Sequence, residues 1–190
     1  GNQFARIGII ENPQQFGSTN LLTASSASGV YGLRLAGAAT TSMSVAVDGQ
    51  ITQTVGLGST AVGQIIGYDP VTKSLQYWQD RSLATNDTSG NKPTFGYKLN
   101  RFTANPASGG NTNVIVTTTG GTETLSIDTG FTGVSTTVNS RTYYFGQTYN
   151  SGLANPEIKK YSGNIIYVDQ RPEVTRATNQ REDIKIILEF

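Results

Sequence analysis

The chain has 190 residues, of which 22 are Gly and 14% are charged, and its formal net charge at pH 7 is +1. The low content of charged residues excludes a coiled coil or helical bundle, the near-zero net charge excludes charge-driven disorder, and the Gly- and Thr-rich composition predicts many short strands and turns. Cys and His are both absent, which excludes disulfides, thiol nucleophiles, Ser-His-Asp catalysis and metal sites with His or Cys ligands.

The first predicted element is a strand at residues 4–10, which ends before Asn12-Pro13. One strand needs neighbours to bury its apolar face, because even a two-stranded hairpin is marginal in water. The sequence begins with Gly1 rather than Met and opens without a signal peptide, which indicates a processed or trimmed chain.

Residues 21–146 carry strand and turn signals throughout, and a run of this kind predicts an all-β domain, either a β-barrel or a β-sandwich. A glycine-rich turn is expected at residues 56–61, a loop at 105–110 and a last strand at 142–145. Three hairpins are predicted where a turn signal separates two β-rich runs: at Asp48-Gly49 between residues 44–47 and 51–55, at Asp69-Pro70 between 62–68 and 74–79, and at Gly120-Gly121 between 113–119 and 124–127.

The last part of the chain has a more conventional pattern. Asn155-Pro156-Glu157 is typical of a helix start, and it predicts one short helix that ends near Gly163. A strand is expected at 164–169 and another at 183–190, where apolar residues alternate with charged ones. We expect the first strand and the last two to share a sheet.

These elements predict a mainly β protein in two parts. A small discontinuous base would comprise residues 1–20 and 147–190, with its sheet and one short helix, and residues 21–146 would be inserted into it. The charge distribution agrees with this division, since residues 21–156 hold 13 charged side chains in 136 positions and residues 157–190 hold 12 in 34.

Catalytic and cofactor motifs are weak. Gly56-Leu57-Gly58 followed by Ala61 resembles a dinucleotide fingerprint, but a strand pattern follows it where such a site requires a helix. The carboxylates available for glycoside hydrolysis each have an ordinary alternative role as turn formers or surface charges; they are Asp69, Asp80, Asp87, Glu123 and Asp128. No EF-hand loop is present. We therefore expect no cofactor, no metal site and no enzymatic activity.

The aromatic side chains in and near the predicted strands allow two interpretations. They could form a stacking platform for sugars or bases, or they could fill the core and contact partners, and we favour the second; the set is Tyr77, Trp78, Tyr97, Phe102, Tyr143, Tyr144 and Phe145. The balance of 14 basic and 13 acidic residues gives no general attraction to nucleic acid, and no apolar run is long enough for membrane insertion.

The segment between the last two predicted strands is a candidate docking surface. It carries Arg171, Pro172, Arg176 and Arg181 among polar residues, and Arg is favoured at protein interfaces. The alternative interpretation is a solvated loop. Tyr161, in the turn region before the strand at 164–169, is a further candidate interface residue.

Three blocks of residues carry a resemblance to a known family: residues 4–13, residues 155–172 and residues 179–190, together 40 of the 190 residues. The spaced set of Ser162-Gly163, Ile166-Tyr167, Arg171-Pro172, Gln180 with Glu182, and terminal Phe190 resembles the C-terminal part of the baseplate wedge subunit family of T-even-type contractile-tailed phages. The T-even member joins these blocks by a short segment, whereas residues 21–146 intervene here, and this Gly- and Thr-rich middle is similar to that of cyanobacterial phage relatives.

The resemblance implies a non-enzymatic structural protein of the virion. Two copies would lie in each wedge as a homodimer and contact other baseplate wedge proteins, after assembly in the host cytoplasm. A mechanical role would follow, in which rigid β modules hold the wedge geometry and transmit its rearrangement on host attachment. The alternative function is a receptor- or glycan-binding β module of a tail fibre or tailspike, which would use the aromatic set.

Overall fold

The computed structural model describes residues 6–23, 27–37, 43–79 and 99–170. The described residues contain strands, turns and loops but no helix, so the prediction of a mainly β protein is confirmed. The strands are β1 (Arg6–Glu11), β2 (Tyr31–Ala36), β3 (Gln50–Gly56), β4 (Ser59–Asp69), β5 (Ser74–Trp78), β6 (Asn113–Thr118), β7 (Gly121–Ile127), β8 (Gly133–Val138), β9 (Arg141–Tyr149), β10 (Leu153–Ala154) and β11 (Asn164–Gln170).

Six of these strands close into an antiparallel β-barrel. Their order is β2-β5-β4-β3-β6-β7, and β7 returns to β2 through the pairs Leu35–Ile127 and Ala36–Ser126. The short strand β10 pairs with the earlier part of β2. An even number of antiparallel strands can close in this way, and closure removes the unpaired edges that an open sheet would expose. Of the two predicted alternatives, the barrel is therefore present.

The barrel interior is filled by apolar side chains that alternate with outward-facing residues. In β6, for example, Val114 and Val116 are fully buried whereas Ile115 between them is exposed. The other fully buried core residues come from β2, β3, β4 and β5; they are Leu33, Leu35, Ile51, Ala61, Ile65 and Leu75. This alternation with a period of two is what a sheet with one buried face requires.

Two of the three predicted hairpins are confirmed and one is wrong. β4 pairs with β5 and β6 pairs with β7, as the turn signals predicted. Asp48-Gly49 does form a turn, with Asp48 at φ 65°, but the residues before it do not pair with β3. Val45 instead bridges Thr118 at the end of β6, while β3 pairs with β4 across the glycine-rich turn at residues 57–58. The turn signal is local, whereas closure of the barrel decides which strands pair.

The predicted helix after Asn155 is absent. Ile158 instead forms an isolated bridge with Gln15, and a tight turn follows at residues 160–161. The backbone N–H groups of Glu157 and Ile158 donate to Ser28 O, and that of Lys159 donates to Gln14 O. In a helix capped by Asn155, the N–H groups of Glu157 and Ile158 would have no partner within the helix, but that of Lys159 would donate to Asn155 O. Because Lys159 N–H donates to Gln14 O instead, the first helical hydrogen bond is not formed.

The hairpin of β8 and β9 was not predicted as such. Only residues 142–145 were expected to be a strand, because β8 is rich in Ser and Thr and lacks apolar alternation. Aromatic side chains of β9 pack against the segment that precedes β8: Phe131, Phe145 and Tyr149 lie with their ring centroids 4.8–5.8 Å apart. Arg34 of β2 lies over the Phe131 ring at 4.1 Å and forms an ion pair with Asp128 at 3.2 Å.

The first and last described strands form a separate antiparallel ribbon, β1 with β11, in which Arg6 pairs with Gln170 and Glu11 with Asn164. The prediction that these two strands share a sheet is confirmed, while the expected third strand at 183–190 lies outside the described residues. β9 runs continuously across the predicted domain boundary at residue 147, and the division into base and insertion stays a prediction. None of the described residues belongs to a helix long and apolar enough to span a membrane.

Candidate binding site

A pocket of about 510 Å³ lies beside the start of β2 and the end of β5. Its volume is within the range of about 300–1,000 Å³ that is usual for small-molecule sites. Three loops complete it: the loop after β1, the loop before β11 and the segment that follows residue 99. The lining residues are Phe16, Gly17, Gly29, Tyr31, Trp78, Gln79, Arg101, Pro156, Ile158, Lys159 and Lys160.

Backbone hydrogen bonds hold two of these loops together and so fix one wall of the pocket. Phe16 N donates to Glu157 O at 2.7 Å, and Lys159 N donates to Gln14 O at 2.8 Å. The bridge between Gln15 and Ile158 lies between these two bonds. Residues that are more than a hundred positions apart in the sequence therefore form a single rigid wall.

Aromatic rings form the apolar part of the pocket. Tyr31 is packed edge-to-face against Phe16 at 5.9 Å and stacks on Tyr77 at 5.4 Å with an interplanar angle of 20°. Tyr77 belongs to the barrel core, where burial raises the pKa of its phenol far above the ordinary value. Trp78, the next residue, is half-buried and faces the pocket. The pocket is thus an extension of the packed end of the barrel.

Three cationic side chains surround these rings, and no acidic side chain lies among the lining residues that the structure describes. The guanidinium carbon of Arg101 lies 4.7 Å from the centroid of Tyr31, and Lys160 Nζ lies 5.6 Å from that of Trp78. Lys159 Nζ donates to Gln14 Oε1 at 2.9 Å. Burial raises the pKa of Tyr31, while the positive charges of Arg101 and Lys160 oppose that rise, so both charges act at its hydroxyl.

A buried amide fixes the position of Arg101. Gln79 Nε2 donates to Val62 O at 2.8 Å and to Asn100 O at 3.1 Å, while its Oε1 accepts a hydrogen bond from Arg101 Nη1 at 3.1 Å. Gln79, Arg101 and Lys160 were not predicted to be site residues. Each lies in an ordinary local pattern of sequence, and only the fold brings them together.

The predicted interface residues fall in two groups. Tyr161 is 93% exposed and has a φ of 63°, which is rare for a residue with a bulky side chain. It lies beside the pocket, since Lys160 Nζ is 5.0 Å from its ring. Arg171, Pro172, Arg176 and Arg181 lie outside the described residues, so their grouping with Tyr161 stays a prediction.

The predicted aromatic set does not form one platform. Trp78 lines the pocket, whereas Tyr77 and Phe102 pack together in the core with their rings 4.8 Å apart. A second cleft of about 360 Å³ has the remaining described members, Tyr143, Tyr144 and Phe145, along one side. Tyr97 lies outside the described residues. Of the described members of the set, Tyr77 and Phe102 therefore pack in the core, as favoured above, and the others line clefts at the surface.

Two of the predicted carboxylates, Asp69 and Asp128, have structural contacts. Asp69 accepts hydrogen bonds from Val71 N and Thr72 Oγ1 in the β4–β5 turn, and Asp128 pairs with Arg34. Glu123 lies on β7 opposite Val116. Asp80 and Asp87 lie outside the described residues. Within the described part of the chain, no three His, Cys, Asp or Glu side chains are grouped so that they could hold a metal ion.

The β1–β11 ribbon is a second candidate site, of a different kind. Its apolar side chains are about half exposed or more; they are Ile7, Ile9, Ile10, Ile165, Ile166, Tyr167 and Val168. Since the consecutive residues from Ile165 to Val168 point alternately to the two faces of β11, neither face is covered by other described residues. Continuous exposed apolar surface of this kind is typical of interaction sites.

No protein-family model, curated protein or solved structure matches the chain. We therefore infer its function from the ribbon, the pocket and the residues that carry the resemblance.

Proposed function

We propose that the chain is a structural subunit of a contractile phage tail baseplate wedge. The observation that carries this proposal is the ribbon. β1 lies in the first block of residues that resembles the wedge subunit family, and β11 lies in the second. The two blocks meet in one antiparallel pair with exposed apolar side chains on both faces. A two-stranded ribbon is marginal in water, so packing against another surface would stabilise it.

The proposed partners are other wedge proteins and a second copy of this chain within each wedge. The exposed Tyr161 would extend the contact surface, together with Arg171, Pro172, Arg176 and Arg181. In the finer architecture that we propose, the ribbon and the residues near it form the discontinuous base, and the barrel is the insertion. The expected location is the virion baseplate, assembled in the host cytoplasm, with a mechanical rather than an enzymatic role.

Native mass spectrometry of purified virions tests this proposal directly. The chain should be present in stoichiometric multiples of about six, since baseplate wedges are arranged with that symmetry in the family it resembles. Absence of the chain from purified virions would overturn the proposal.

A pair of variants tests the role of the ribbon. Ile166→Asp places a charge on its 62% exposed apolar surface, while Leu57→Asp places one at the 90% exposed tip of the β3–β4 hairpin. Ile166→Asp should prevent incorporation of the chain into wedges because an unpaired charge would be buried there. Leu57→Asp should be incorporated normally. Equal incorporation of both would show that the ribbon is not the contact surface.

The second candidate function is a receptor- or glycan-binding module, and the pocket at Trp78 favours it. Apolar concave sites with a few fixed polar groups are the usual form of small-molecule sites. Binding on a glycan array that is lost in Trp78→Ala would support this function, and binding that survives the substitution would place the ligand elsewhere.

A further inference from the structure

We propose that the pocket at Trp78 binds an acidic saccharide, a sugar that carries a carboxylate. This proposal names the ligand class of the second candidate function and rests on that function, and it is independent of the proposed baseplate role. It follows from two properties that occur together among the lining residues that the structure describes: aromatic rings and three cationic side chains.

The charge of the pocket selects an anion. Three cationic residues line it, whereas the described lining residues include no carboxylate. Arg101 is held by the neutral amide of Gln79 and by the Tyr31 ring. A guanidinium has five N–H donors in a planar fork that suits a carboxylate. Arg101 lies 4.7 Å from the centroid of the Tyr31 ring and Lys160 Nζ lies 5.6 Å from that of Trp78, so a cation adjoins each of these two neighbouring parts of the pocket.

The rings select a ligand with an apolar face. Trp78 and Phe16 line the pocket and are only partly buried, so they offer surface on which the C–H groups of a sugar ring can pack. Gly17 and Gly29 line the pocket without side chains, which leaves room for a bulky ring. A saccharide that bears a carboxylate combines both requirements in one small unit.

The shape of the charged region argues against nucleic acid. Binding of single strands uses a basic groove that follows several successive phosphates. Here the cations converge on one pocket, and the chain as a whole has a net charge of only +1. A single negative group fits this arrangement better than a polyanion.

The chain contains one tryptophan, Trp78, so intrinsic tryptophan fluorescence reports on this pocket alone. The full chain is titrated with galacturonic acid, glucuronic acid and N-acetylneuraminic acid, and in parallel with galactose and glucose. At least one acidic sugar should give a saturable change, with an affinity at least about tenfold higher than that of the neutral sugars.

Three variants locate the interaction. Arg101→Gln and Lys160→Gln should each weaken binding of the acidic sugar by roughly tenfold, about the effect of one lost charge-assisted hydrogen bond. Lys160 is exposed, so its variant should fold even if loss of the bond to Gln79 affects Arg101→Gln. Arg141→Gln removes an exposed cation from the β8–β9 hairpin and should bind as the unmodified chain does.

The possible results distinguish the proposed ligand class, an acidic sugar, from the more general proposal that the pocket binds a glycan. Equal affinity for acidic and neutral sugars, or full binding by Lys160→Gln, would overturn the acidic ligand class and leave glycan binding intact. No binding of any saccharide by the folded chain would overturn both. A change of the same size with inorganic phosphate or with a single-stranded oligonucleotide at equal concentration would overturn the choice of a saccharide.

Discussion

The hydroxyls of Tyr149 and Ser74 form a buried hydrogen bond of 2.8 Å across 75 positions of sequence. This bond connects the end of β9 to the start of β5. The ring of Tyr149 also lies against Gly32 of β2, where a Cβ would approach its Cζ to 2.8 Å. One tyrosine therefore fastens the β8–β9 hairpin to two strands of the barrel.

Tyr149→Phe should lower the free energy of unfolding by about 1–2 kcal/mol, because the hydroxyl of Ser74 would stay buried without its partner. Tyr144→Phe is the matched control, since Tyr144 belongs to the same strand but is 79% exposed. Urea denaturation measures both. Equal stability of the two variants would show that the bond to Ser74 contributes nothing.

Gly63→Ala should destabilise the barrel by about 1–3 kcal/mol through overpacking. A Cβ at Gly63 would lie 2.6 Å from Tyr77 Cδ2 and 3.2 Å from both Ile51 Cγ2 and Phe102 Cε2. Gly67 belongs to the same strand, and a Cβ there would meet no atom within 4 Å, so Gly67→Ala should fold as stably as the unmodified chain or slightly more so. Thermal melts compare the two, and a similar melting temperature would contradict the expectation.

Gly163→Ala should loosen the ribbon without unfolding the barrel. Gly163 has a φ of +82°, and a Cβ there would lie 2.7 Å from Glu11 O and from Ile10 Cγ2. Gly17→Ala is the control for the backbone strain alone, because Gly17 has a φ of +72° with open space around it. Hydrogen exchange of β1 and β11 amides should accelerate in Gly163→Ala and not in Gly17→Ala, with exchange in the barrel unchanged in both.

Gln53→Ala should cost about 2–3 kcal/mol and release the segment that covers the barrel beside β3. The buried Gln53 amide donates to Thr103 O at 2.8 Å and to Asn111 O at 2.9 Å, and it accepts from Thr103 N at 2.9 Å. Gln50, on the same strand, is exposed and bonds Thr117 through backbone atoms, so Gln50→Ala should change little. Denaturation and hydrogen exchange of residues 103–111 check this, and a stable Gln53→Ala would contradict it.

Stability should decline as the pH rises above about 10. Burial raises the pKa of Tyr77 and of Tyr149 above the ordinary value of 10.0. In the unfolded chain these phenols release protons near pH 10, whereas in the folded chain they hold them to higher pH. The contribution of these protonated phenols to the free energy of unfolding is therefore complete below about pH 10, and it is lost as the pH rises towards their pKa values in the folded chain. Melting temperatures across this range should fall less steeply for Tyr149→Phe, and an identical slope would exclude Tyr149 as a contributor.

Short sequence signals predicted the positions of turns, and they predicted strand pairing where the two strands are joined directly by the turn. The turns at Asp69-Pro70 and Gly120-Gly121 join strands that pair directly, so those hairpins were predictable. The turn at Asp48-Gly49 was also predictable, but its pairing was not, because Val45 finds its partner at Thr118. The helix signal at Asn155 failed for a similar reason: the N–H group of Lys159, which would form the first helical hydrogen bond with Asn155 O, donates to the distant Gln14 O instead.

The pocket was not predictable from any single stretch of sequence. Phe16, Tyr31, Trp78, Arg101 and Lys160 come from five separate parts of the chain. Of these, Trp78 alone was predictable as a site residue, because a lone tryptophan near a predicted strand is conspicuous. The buried glutamines were not predictable, since a Gln in a polar chain has no pattern that separates a satisfied, buried amide from a solvated one.

The pairing of Arg6 with Gln170 in the ribbon means that the chain enters and leaves the described strands at neighbouring points. The barrel is therefore formed by the chain between these two neighbouring points, and a force applied at them reaches the ribbon first. Tension applied along the backbone at these two points would open the ribbon one residue pair at a time, as in unzipping, before it reached the closed hydrogen-bond network of the barrel. If a neighbouring subunit held the two strands of the ribbon together, the ribbon would bear the force, and the barrel would move with it without being deformed.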